Sequence, residues 1–595
     1  MKKELLIALS LLPACLYAQN NTTVVNPKVD VPVPVFKKFL GTDQATSPFK
    51  PGSTYTPKLN KHIRYSSILI GKTFYDLQTN ASVGRRIILH SDGKISAVWT
   101  TASIGQAEWP TRGTGYNHKT TSWKSTVNAR FETERTGWPG IGILDSAGTK
   151  YEMVMGHIAT TGGWIISKNN AIGSSSFPDQ KTVLTQLNDK VSIWGRVATN
   201  DKKIIHLVSN YNGSTTGTPP MVKIKGVSSP STYSRSTNGG LTWDKQFITL
   251  PGYDSTRTLS GGGDQYAIDV KDNIVAIVIG GTGEDVALYK SLDNGNTFTR
   301  TVVEEFPFSP WDITKNKHLI PSANRQKTAD GSFDVLIGND NKVHVFFGRT
   351  FVFDDDTTAD GTFFSPGSAQ LIHWAEGWDS VNVCGAAKDY DGDNALTITA
   401  ETTSAPDPSG NLPANVSSAT RYGGTSLVSF PSSSMDANGN LYVIYSAPNE
   451  RALSPFNANY RDIYVSFSTD GGQTWNIGQN LTATSEPNNF ENVFGSAAKR
   501  SDNFLHFIYQ EDDLPGTNLQ NNGNSNTHPN DEQRIMYKAV PVADILGGQI
   551  RDAVSVKKAL ADPKIFFVSQ NQPNPFSSET QAYIYMRDGS DITLS

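Results

Sequence analysis

The sequence predicts an all-β fold in which short strands repeat around a closed ring, a β-propeller. Two repeated patterns predict it. One turn pattern recurs three times along the chain, and a second pattern, a polar turn that leads into an alternating strand, recurs seven times. The composition agrees, because 51 glycines, 11 tryptophans, 21 tyrosines and 27 phenylalanines suit many short strands joined by tight turns.

The first pattern combines a serine, an aspartate or asparagine, a glycine, a threonine and an aromatic residue, and we call each copy an aromatic turn. The acidic or amide side chain is suited to capping backbone N–H groups of its own turn, and glycine supplies a positive φ. The ring covers apolar surface beneath the turn. The copies are Ser236, Asn238, Gly240, Thr242 and Trp243; Ser291, Asp293, Gly295, Thr297 and Phe298; and Ser468, Asp470, Gly472, Thr474 and Trp475.

These turns resemble the Asp-box, or BNR repeat, of sialidase-like β-propellers. In that family such turns join the outer strands of successive blades, at the periphery and away from the active centre. The resemblance therefore implies a sialidase-like propeller and a structural role for the residues of the aromatic turns. It implies no activity, because one fold hosts many functions.

The second pattern reads as a hairpin turn that leads into a buried central strand. Its seven copies predict seven blades, and their spacing leaves room for four strands per blade. Six blades stay open as the alternative, because the copy at 147–154 is the weakest. The copies lie at 91–99, 147–154, 200–208, 271–278, 339–347, 437–445 and 501–509.

The chain divides into five predicted regions: a signal peptide at 1–18, an extended segment at 19–63, the propeller at 64–545, a linker at 546–567 and a short β segment at 568–595. The formal net charge of −4 gives no basic excess, so we expect no nucleic-acid partner. No run after the signal peptide approaches the ~18 apolar residues of a membrane span. We therefore expect no transmembrane segment.

The N-terminus has the charged and apolar regions of a secretory signal peptide, Met1–Lys3 and Leu5–Leu16, followed by Ala18. Residues 12–15 also partly resemble a bacterial lipobox, in which Cys15 would be lipidated and retained. Both fates stay open. If Cys15 is removed, Cys384 is the one cysteine left and the mature chain forms no internal disulfide.

The C-terminal segment resembles the opening of a type A sorting domain of the type IX secretion system. The matching residues are Asn571, Pro573, Asn574, Pro575, Phe576 and Thr580, followed by the alternating strand 582–586. The resemblance implies the type IX secretion machinery as a partner. It implies a product that crosses the periplasm and is secreted or held on the outer surface of a Gram-negative bacterium. The sequence stops at Ser595, before such a domain is normally complete, so we expect a truncated sequence or a short signal.

Two long insertions, at about 350–425 and 511–531, are expected where inner strands of neighbouring blades meet, the usual position of propeller binding sites. In the first, Asp389, Asp391 and Asp393 alternate around Gly392 and resemble the start of a calcium loop. Ala400 at the twelfth position departs from that pattern. Calcium is therefore one interpretation, and a solvated acidic turn without a cofactor is the other.

Sialidases of this fold use three arginines on the substrate carboxylate, a tyrosine nucleophile activated by a glutamate, and an aspartate acid/base. The nearest match to their first arginine is Arg64, which lacks the Ile-Pro that follows it in the family. Arg257, Arg421 and Arg461 could converge only in three dimensions, so no catalytic residue is assigned.

Two functions remain. We expect a secreted or surface propeller that binds a glycan or protein ligand, and the alternative is a divergent sialidase-like glycoside hydrolase. Three arginines at a Tyr–Glu pair would favour the enzyme, whereas an apolar or aromatic central face would favour binding.

Overall fold

The structure is a computed structural model that describes the propeller with gaps. The described residues are 66–106, 109–158, 163–184, 190–200, 202–214, 223–312, 320, 326–354, 363–364, 369–386, 422, 425–454, 459–483, 489–519, 528–548, 550, 567–568 and 584–585. The predicted signal peptide, the calcium-like aspartates and the residues 571–576 of the sorting motif lie outside them.

Seven antiparallel sheets form seven blades, and each blade runs from an inner strand near the centre of the ring to an outer strand at its edge. From the inner to the outer strand, blade 1 is β2 (Ile87–Leu89), β3 (Ile95–Thr101) and β4 (Gly113–Lys119); blade 2 is β5 (Thr136–Ser146), β6 (Thr149–Ile158), β7 (Trp164–Lys168) and β8 (Asp179–Val183). Blade 3 is β9 (Lys190–Thr199), β10 (Ile205–Ser214), β13 (Ser231–Ser236) and β14 (Lys245–Ile248); blade 4 is β15 (Tyr266–Lys271), β16 (Ile274–Ile279), β17 (Val286–Ser291) and β18 (Thr299–Glu304).

The remaining blades follow in chain order. Blade 5 is β19 (Gln326–Ile337), β20 (Val343–Phe353), β22 (Gln370–Ala375) and β23 (Asn382–Ala386), with β21 (Phe363–Phe364) paired to β20. Blade 6 is β24 (Ser429–Met435), β25 (Leu441–Leu453), β26 (Asn459–Ser468) and β27 (Asn476–Asn480). Blade 7 is β28 (Glu491–Ala497), β29 (Phe504–Asp512), β30 (Gln533–Pro541) and β1 (Ile68–Thr73).

Smaller elements lie outside the blades. A separate hairpin of β11 (Lys223–Ile224) and β12 (Val227–Ser228) lies in the connection between β10 and β13, and helix α1 (Val542–Leu546) follows β30. Near the C-terminus β31 (Phe567–Val568) pairs with β32 (Ile584–Tyr585). Within the described ranges, no helix has the length and apolarity needed to cross a membrane.

The prediction of seven blades is confirmed, and the alternative of six is wrong. Each of the seven predicted strands is the second strand of its own blade, and the weak copy at 147–154 leads into β6. These strands are buried because each lies between two strands of its sheet and packs against the neighbouring blade. Val343, Val345 and Phe347 of β20, for example, are fully buried in a cluster that blades 4 and 5 share.

The ring is closed by the strand nearest the N-terminus. Strand β1 is the outermost strand of blade 7 and pairs antiparallel with β30, with Ile68 opposite Tyr537 and Thr73 opposite Gln533. Pairing between strands from the two ends of the propeller thus produces the closed ring that the sequence predicts. Closure removes the free edge that an open array of blades would present.

The aromatic turns connect the third and fourth strands of blades 3, 4 and 6, at the outer part of each sheet. Their aromatic side chains pack beneath the turns. Trp243, Phe298 and Trp475 are partly buried against the clusters between neighbouring blades, so none of the three lines the centre of the ring.

Candidate functional site

The connections between strands divide the propeller into two ends. Antiparallel strands alternate in direction, so the loop between the second and third strands and the connection to the next blade lie at the same end. We call this end the loop face; the aromatic turns lie at the other. The predicted insertion at 350–425 is not one loop, because it contains the blade 5 strands β22 and β23. The strand ends at its two connections, β20 to β22 and β23 to β24, lie at the loop face, and so do the strand ends at the insertion at 511–531, between β29 and β30.

The inner strands share a kink at the loop face that the sequence analysis did not identify. Near this end, six of the inner-strand segments place one residue at a positive φ: Trp138 (51°), Trp194 (55°), Asp264 (65°), Gly331 (91°), Phe430 (59°) and Phe494 (57°). All but Asp264 coincide with a shift in strand register, a β-bulge. The kink is therefore a repeated feature of the ring.

Four of these positions carry a large aromatic side chain, although a positive φ is strained for such residues at a cost on the order of 1 kcal/mol each. Their rings meet in one buried group, which we call the aromatic cluster: Trp138, Trp194, Phe430 and Phe494 together with Tyr75, Trp109 and Tyr422. The rings of Tyr75 and Trp138 meet edge to face at 5.9 Å between centroids. Trp109 and Trp194 are each 8% exposed, so the cluster reaches the surface at these two side chains.

A loop of the chain itself crosses the centre of the loop face. It runs from β1 to β2, and Asp264 holds it by accepting hydrogen bonds from the Thr79 hydroxyl at 3.1 Å and the Asn80 N–H at 2.8 Å. The Ser82 hydroxyl of the same loop accepts a hydrogen bond from the Phe333 N–H at 2.9 Å. The loop thus joins blades 7 and 1, where it begins and ends, to the inner strands of blades 4 and 5.

Arginines gather on the side of the loop face formed by blades 1 to 3. Burial lowers the pKa of His157 well below its usual value, and the nearby charges of Arg112, Arg135 and Arg196 lower it further. The Arg112 guanidinium lies over the Tyr75 and Trp138 rings at 5.2 and 5.6 Å. Its Nη2 is buried and has no hydrogen-bond partner among the described residues. Arg196 pairs with Asp264 at 3.3 Å.

A buried Tyr–Glu pair lies on the opposite side, formed by blades 6 and 7. The Tyr422 hydroxyl donates to Glu491 Oε1 at 2.5 Å, and the Arg461 N–H donates to Glu491 Oε2 at 2.6 Å. The Arg461 guanidinium lies over the Tyr422 ring at 5.2 Å. Burial raises the pKa of Glu491 to about 7, although Arg461 lowers it. All three residues are fully buried, so no substrate reaches the hydroxyl in this conformation.

The second insertion is fixed to the central loop by a buried histidine. His528 Nε2 lies 3.3 Å from Asp512 Oδ2, and its Nδ1 lies 3.8 Å from Asp76 Oδ2. Burial lowers the pKa of His528, but the two aspartates together raise it to about 9. A charged His528 therefore holds the connection between β29 and β30 against the loop between β1 and β2.

The structure separates the arginines that the sequence analysis named. Arg461 lies at the Tyr–Glu pair, whereas Arg257 lies in the connection between β14 and β15, 3.8 Å from Asp285. Arg64 and Arg421 lie outside the described residues. Within the described residues, the Tyr–Glu pair has one arginine in contact, and the three that surround His157 were not named from the sequence.

The metal prediction falls on residues that the structure does not describe. Asp389, Asp391 and Asp393 belong to the connection between β23 and β24, outside the described ranges. In the ranges that are described, no three His, Cys, Asp or Glu side chains are arranged to hold a metal ion.

A signal for the aromatic cluster was present in the sequence. Each strained aromatic residue is followed by proline or glycine, in the pairs Trp138-Pro139, Trp194-Gly195, Phe430-Pro431 and Phe494-Gly495. Proline and glycine inside a strand mark bulges and close backbone approaches. The pair recurs ahead of four of the seven second strands, so a search for it would have located the kink.

Comparisons with known proteins found weak similarity to solved structures. No protein-family model matches the chain, and no curated protein is significantly similar to it. Among solved structures, the phage phi92 endosialidase is similar at 10% identity, over 89% of this chain and 76% of that one, with a TM-score of 0.34. The BP39L lectin of Burkholderia pseudomallei is similar at 9% identity over 73% and 93%, with a TM-score of 0.39. The NanB sialidase of Streptococcus pneumoniae is similar at 11% identity over 81% and 71%, with a TM-score of 0.33. At these values the likenesses support no statement about function, and the chain is an all-β protein with a seven-bladed propeller.

Proposed function

We propose that the loop face of this propeller binds a glycan. The observation that carries the proposal is the aromatic cluster: four inner strands hold a Trp or Phe at a strained bulge, and the rings converge at one end of the ring. Strained backbone persists where the surrounding structure over-determines it, which is common at ligand sites. Gly331 occupies the equivalent kink without that strain, so the fold alone does not require an aromatic residue there.

The chemistry of the cluster suits a sugar. Aromatic rings and a small number of placed polar groups are the usual lining of ligand sites. Here Trp109 and Trp194, each 8% exposed, are the most exposed side chains of the aromatic cluster, and the partly exposed Arg135 donates from Nε to the Trp109 carbonyl at 2.9 Å. This arrangement offers an apolar surface beside hydrogen-bond donors.

Binding is tested by a glycan array followed by calorimetry. We expect Trp109→Ala and Trp194→Ala each to weaken the tightest-binding glycan by about tenfold or more, which corresponds to about 1.4 kcal/mol. The matched control is Trp475→Ala, a partly buried tryptophan at the opposite end. Unchanged affinity in both loop-face variants, measured on folded protein, would contradict the proposal.

A second candidate function is glycoside hydrolysis, favoured by the hydrogen bond of 2.5 Å between Tyr422 and Glu491. A tyrosine hydroxyl next to a glutamate has a base within reach of its proton, as a nucleophile requires. The test is turnover of an aryl sialoside and a panel of neutral aryl glycosides. Turnover that disappears in Tyr422→Phe would support the enzyme, and no turnover of any substrate would remove this candidate.

Export belongs to the same proposal and rests on the two ends of the sequence. The signal peptide and the motif at Asn571–Phe576 would direct the propeller through the periplasm to the type IX secretion machinery, and then to the outer surface or the medium. Deletion from Val568 onward should leave a folded propeller in the periplasm. Cell fractionation that finds the deleted protein on the surface would contradict the sorting role. Calcium binding by Asp389, Asp391 and Asp393 stays a prediction.

A further inference from the structure

The loop face has a second distinctive corner, between blades 4 and 5. The turn between β16 and β17 is hydrogen-bonded to the inner strand of blade 5: the Gly283 N–H donates to the Thr328 hydroxyl at 2.8 Å. The Thr282 hydroxyl donates to the Ala329 carbonyl at 3.4 Å. These contacts fix the turn, residues 280–285, at the point where the two blades meet.

Gln265 lies in a cradle of three glycines at this corner. A Cβ added at Gly262 or Gly281 would lie 1.8 or 2.6 Å from Gln265 Oε1, and one added at Gly331 would lie 2.9 Å from its Nε2. Larger residues at these positions would displace the amide. Gln265 is 8% exposed, and its amide has no hydrogen-bond partner among the described residues. An amide without a protein partner at this position favours a ligand that can hydrogen-bond to it.

The carboxyl group of Glu284 faces the same glycine. A Cβ at Gly281 would lie 3.5 Å from Glu284 Oε2, so the carboxyl group and the Gln265 amide approach one point from two sides. Glu284 is half-buried and, within the described chain, its carboxyl group has no ion pair or hydrogen bond. The nearby arginines form ion pairs with the neighbouring Asp285 instead, Arg300 at 3.2 Å and Arg257 at 3.8 Å.

An apolar side chain borders these two groups. Trp311 is half-buried and packs so closely over Gly283 that a Cβ there would lie 2.9 Å from Cε3 of the indole. Its ring also lies 5.8 Å from the Phe306 ring. A ligand at this corner would therefore meet an apolar wall beside an amide and a carboxyl group.

We propose that Gln265, Glu284 and Trp311 form a binding position for a neutral, hydroxyl-rich sugar residue. The inference rests on the proposed glycan-binding function and assigns it a second contact point and a ligand class. Sugar hydroxyls both donate and accept hydrogen bonds, and the unpaired amide does the same. Burial, followed by the charge of Asp285, raises the pKa of Glu284 to about 8, so the carboxyl group is mostly neutral at pH 7 and can donate as well as accept.

The charges at the corner also disfavour other ligand classes. An ammonium group would have to displace the proton of Glu284 before the two could pair, while Asp285 is already balanced by Arg257 and Arg300. A sugar carboxylate would have to approach the oxygens of Glu284, whose ionisation is already unfavourable there. A neutral sugar incurs neither cost.

The test titrates the folded propeller with cellotetraose, maltotetraose, mannotetraose and 3′-sialyllactose. For the tightest neutral glycan we expect Gln265→Met and Glu284→Leu each to weaken binding about tenfold, since each removes hydrogen bonds. Glu284→Gln should stay within about threefold of the wild type, because its amide also donates and accepts. Glu305→Leu, at an exposed glutamate just after β18, is the matched control.

The outcomes separate this inference from the proposed function. If Trp194→Ala weakens the neutral glycan but Gln265→Met and Glu284→Leu do not, the second contact point is wrong while glycan binding stands. If Glu284→Gln loses affinity as strongly as Glu284→Leu, or if 3′-sialyllactose binds more tightly than every neutral glycan, the neutral class is wrong. If the wild type binds none of the three neutral glycans, the neutral class is wrong, whereas binding to no glycan on the array ends the proposed function as well.

Discussion

Two aspartates at opposite ends of the propeller each accept several hydrogen bonds, but from different kinds of partner. Asp470, exposed in the third aromatic turn, accepts hydrogen bonds from the Ser468 hydroxyl at 2.7 Å and the Thr474 hydroxyl at 2.6 Å. Asp264, fully buried at the loop face, accepts from Asn80, from Thr79 and from the Trp138 indole N–H at 2.7 Å. The first holds its own turn together, and the second, which also pairs with Arg196, joins four separate segments.

The difference is that contacts at the aromatic turns are local in sequence, whereas contacts at the loop face join distant segments. Every partner of Asp470 lies within four residues of it, so the sequence spacing of Ser468, Asp470 and Thr474 is enough to predict these contacts. The partners of Asp264 lie 126 and about 184 residues away. Only closure of the ring brings them together, so loss of Asp264 should affect the whole fold and loss of Asp470 one turn.

The largest effect is expected from Asp264→Ala. The substitution leaves Arg196 buried without its carboxylate partner and removes the acceptor of the central loop, which should lower the free energy of unfolding by about 3–5 kcal/mol. Urea denaturation of the isolated protein measures it. Asp264→Asn, which keeps an acceptor but loses the charge, should cost less. A loss below about 1 kcal/mol for Asp264→Ala would mean that the central loop is held by other contacts.

Acid should weaken the end with the aromatic turns through buried histidines beneath it. The glycines of two of the three turns pack against such a pair: Gly295 against Tyr233, whose hydroxyl is bonded to His206 at 2.7 Å, and Gly472 against His373, which lies 3.0 Å from His344. Burial lowers the pKa of His206 to about 3 and that of His344 to about 4. Both histidines are therefore neutral in the folded protein near neutral pH.

The sign of this pH dependence follows from the two states. Unfolded histidine titrates near pH 6.5, so below that value the unfolded chain binds more protons than the folded chain does. Stability is present above pH 6.5 and is lost as the pH falls toward 4, by about 1.4 kcal/mol per pH unit for each histidine. Unfolding in urea at pH 7, 6, 5 and 4 measures the slope. His206→Gln should make it shallower, and an unchanged slope would show that His206 is protonated in the folded state.

The fold was predictable because its repeats are local. The strand pattern that includes His206, His344 and His506 located the second strand of every blade, and the aromatic turns located three outer hairpins. The candidate site was not predictable in the same way. Tyr422 and Glu491 are 69 residues apart, and each looks like an ordinary strand or loop residue until blades 6 and 7 pack together. Gln265 is distinctive only because Gly281 and Gly331, from two other segments, join Gly262 around its side chain.

The smallest effect is expected at Asp470, where the comparison can be made most sharply. Burial raises the pKa of Asp470, but hydrogen bonds from Thr474 and Ser468 lower it to about 2. The carboxylate is therefore charged at neutral pH. Asp470→Ala removes a side-chain cap and should lower the free energy of unfolding by about 1 kcal/mol, as loss of a helix cap does. Thr469→Ala, at an exposed neighbour in the same turn, should change it by less than about 0.5 kcal/mol.

The glycan affinity of Asp470→Ala is the decisive measurement on this variant. Because the aromatic turns and the loop face lie at opposite ends of the blades, Asp470→Ala should leave glycan affinity within about twofold of the wild type. Asp293→Ala in blade 4 should behave alike, since Asp293 accepts from the Ser291 and Thr297 hydroxyls, each at 2.7 Å. A variant that kept its stability but lost binding would place the ligand at the aromatic turns and would overturn the assignment of the loop face.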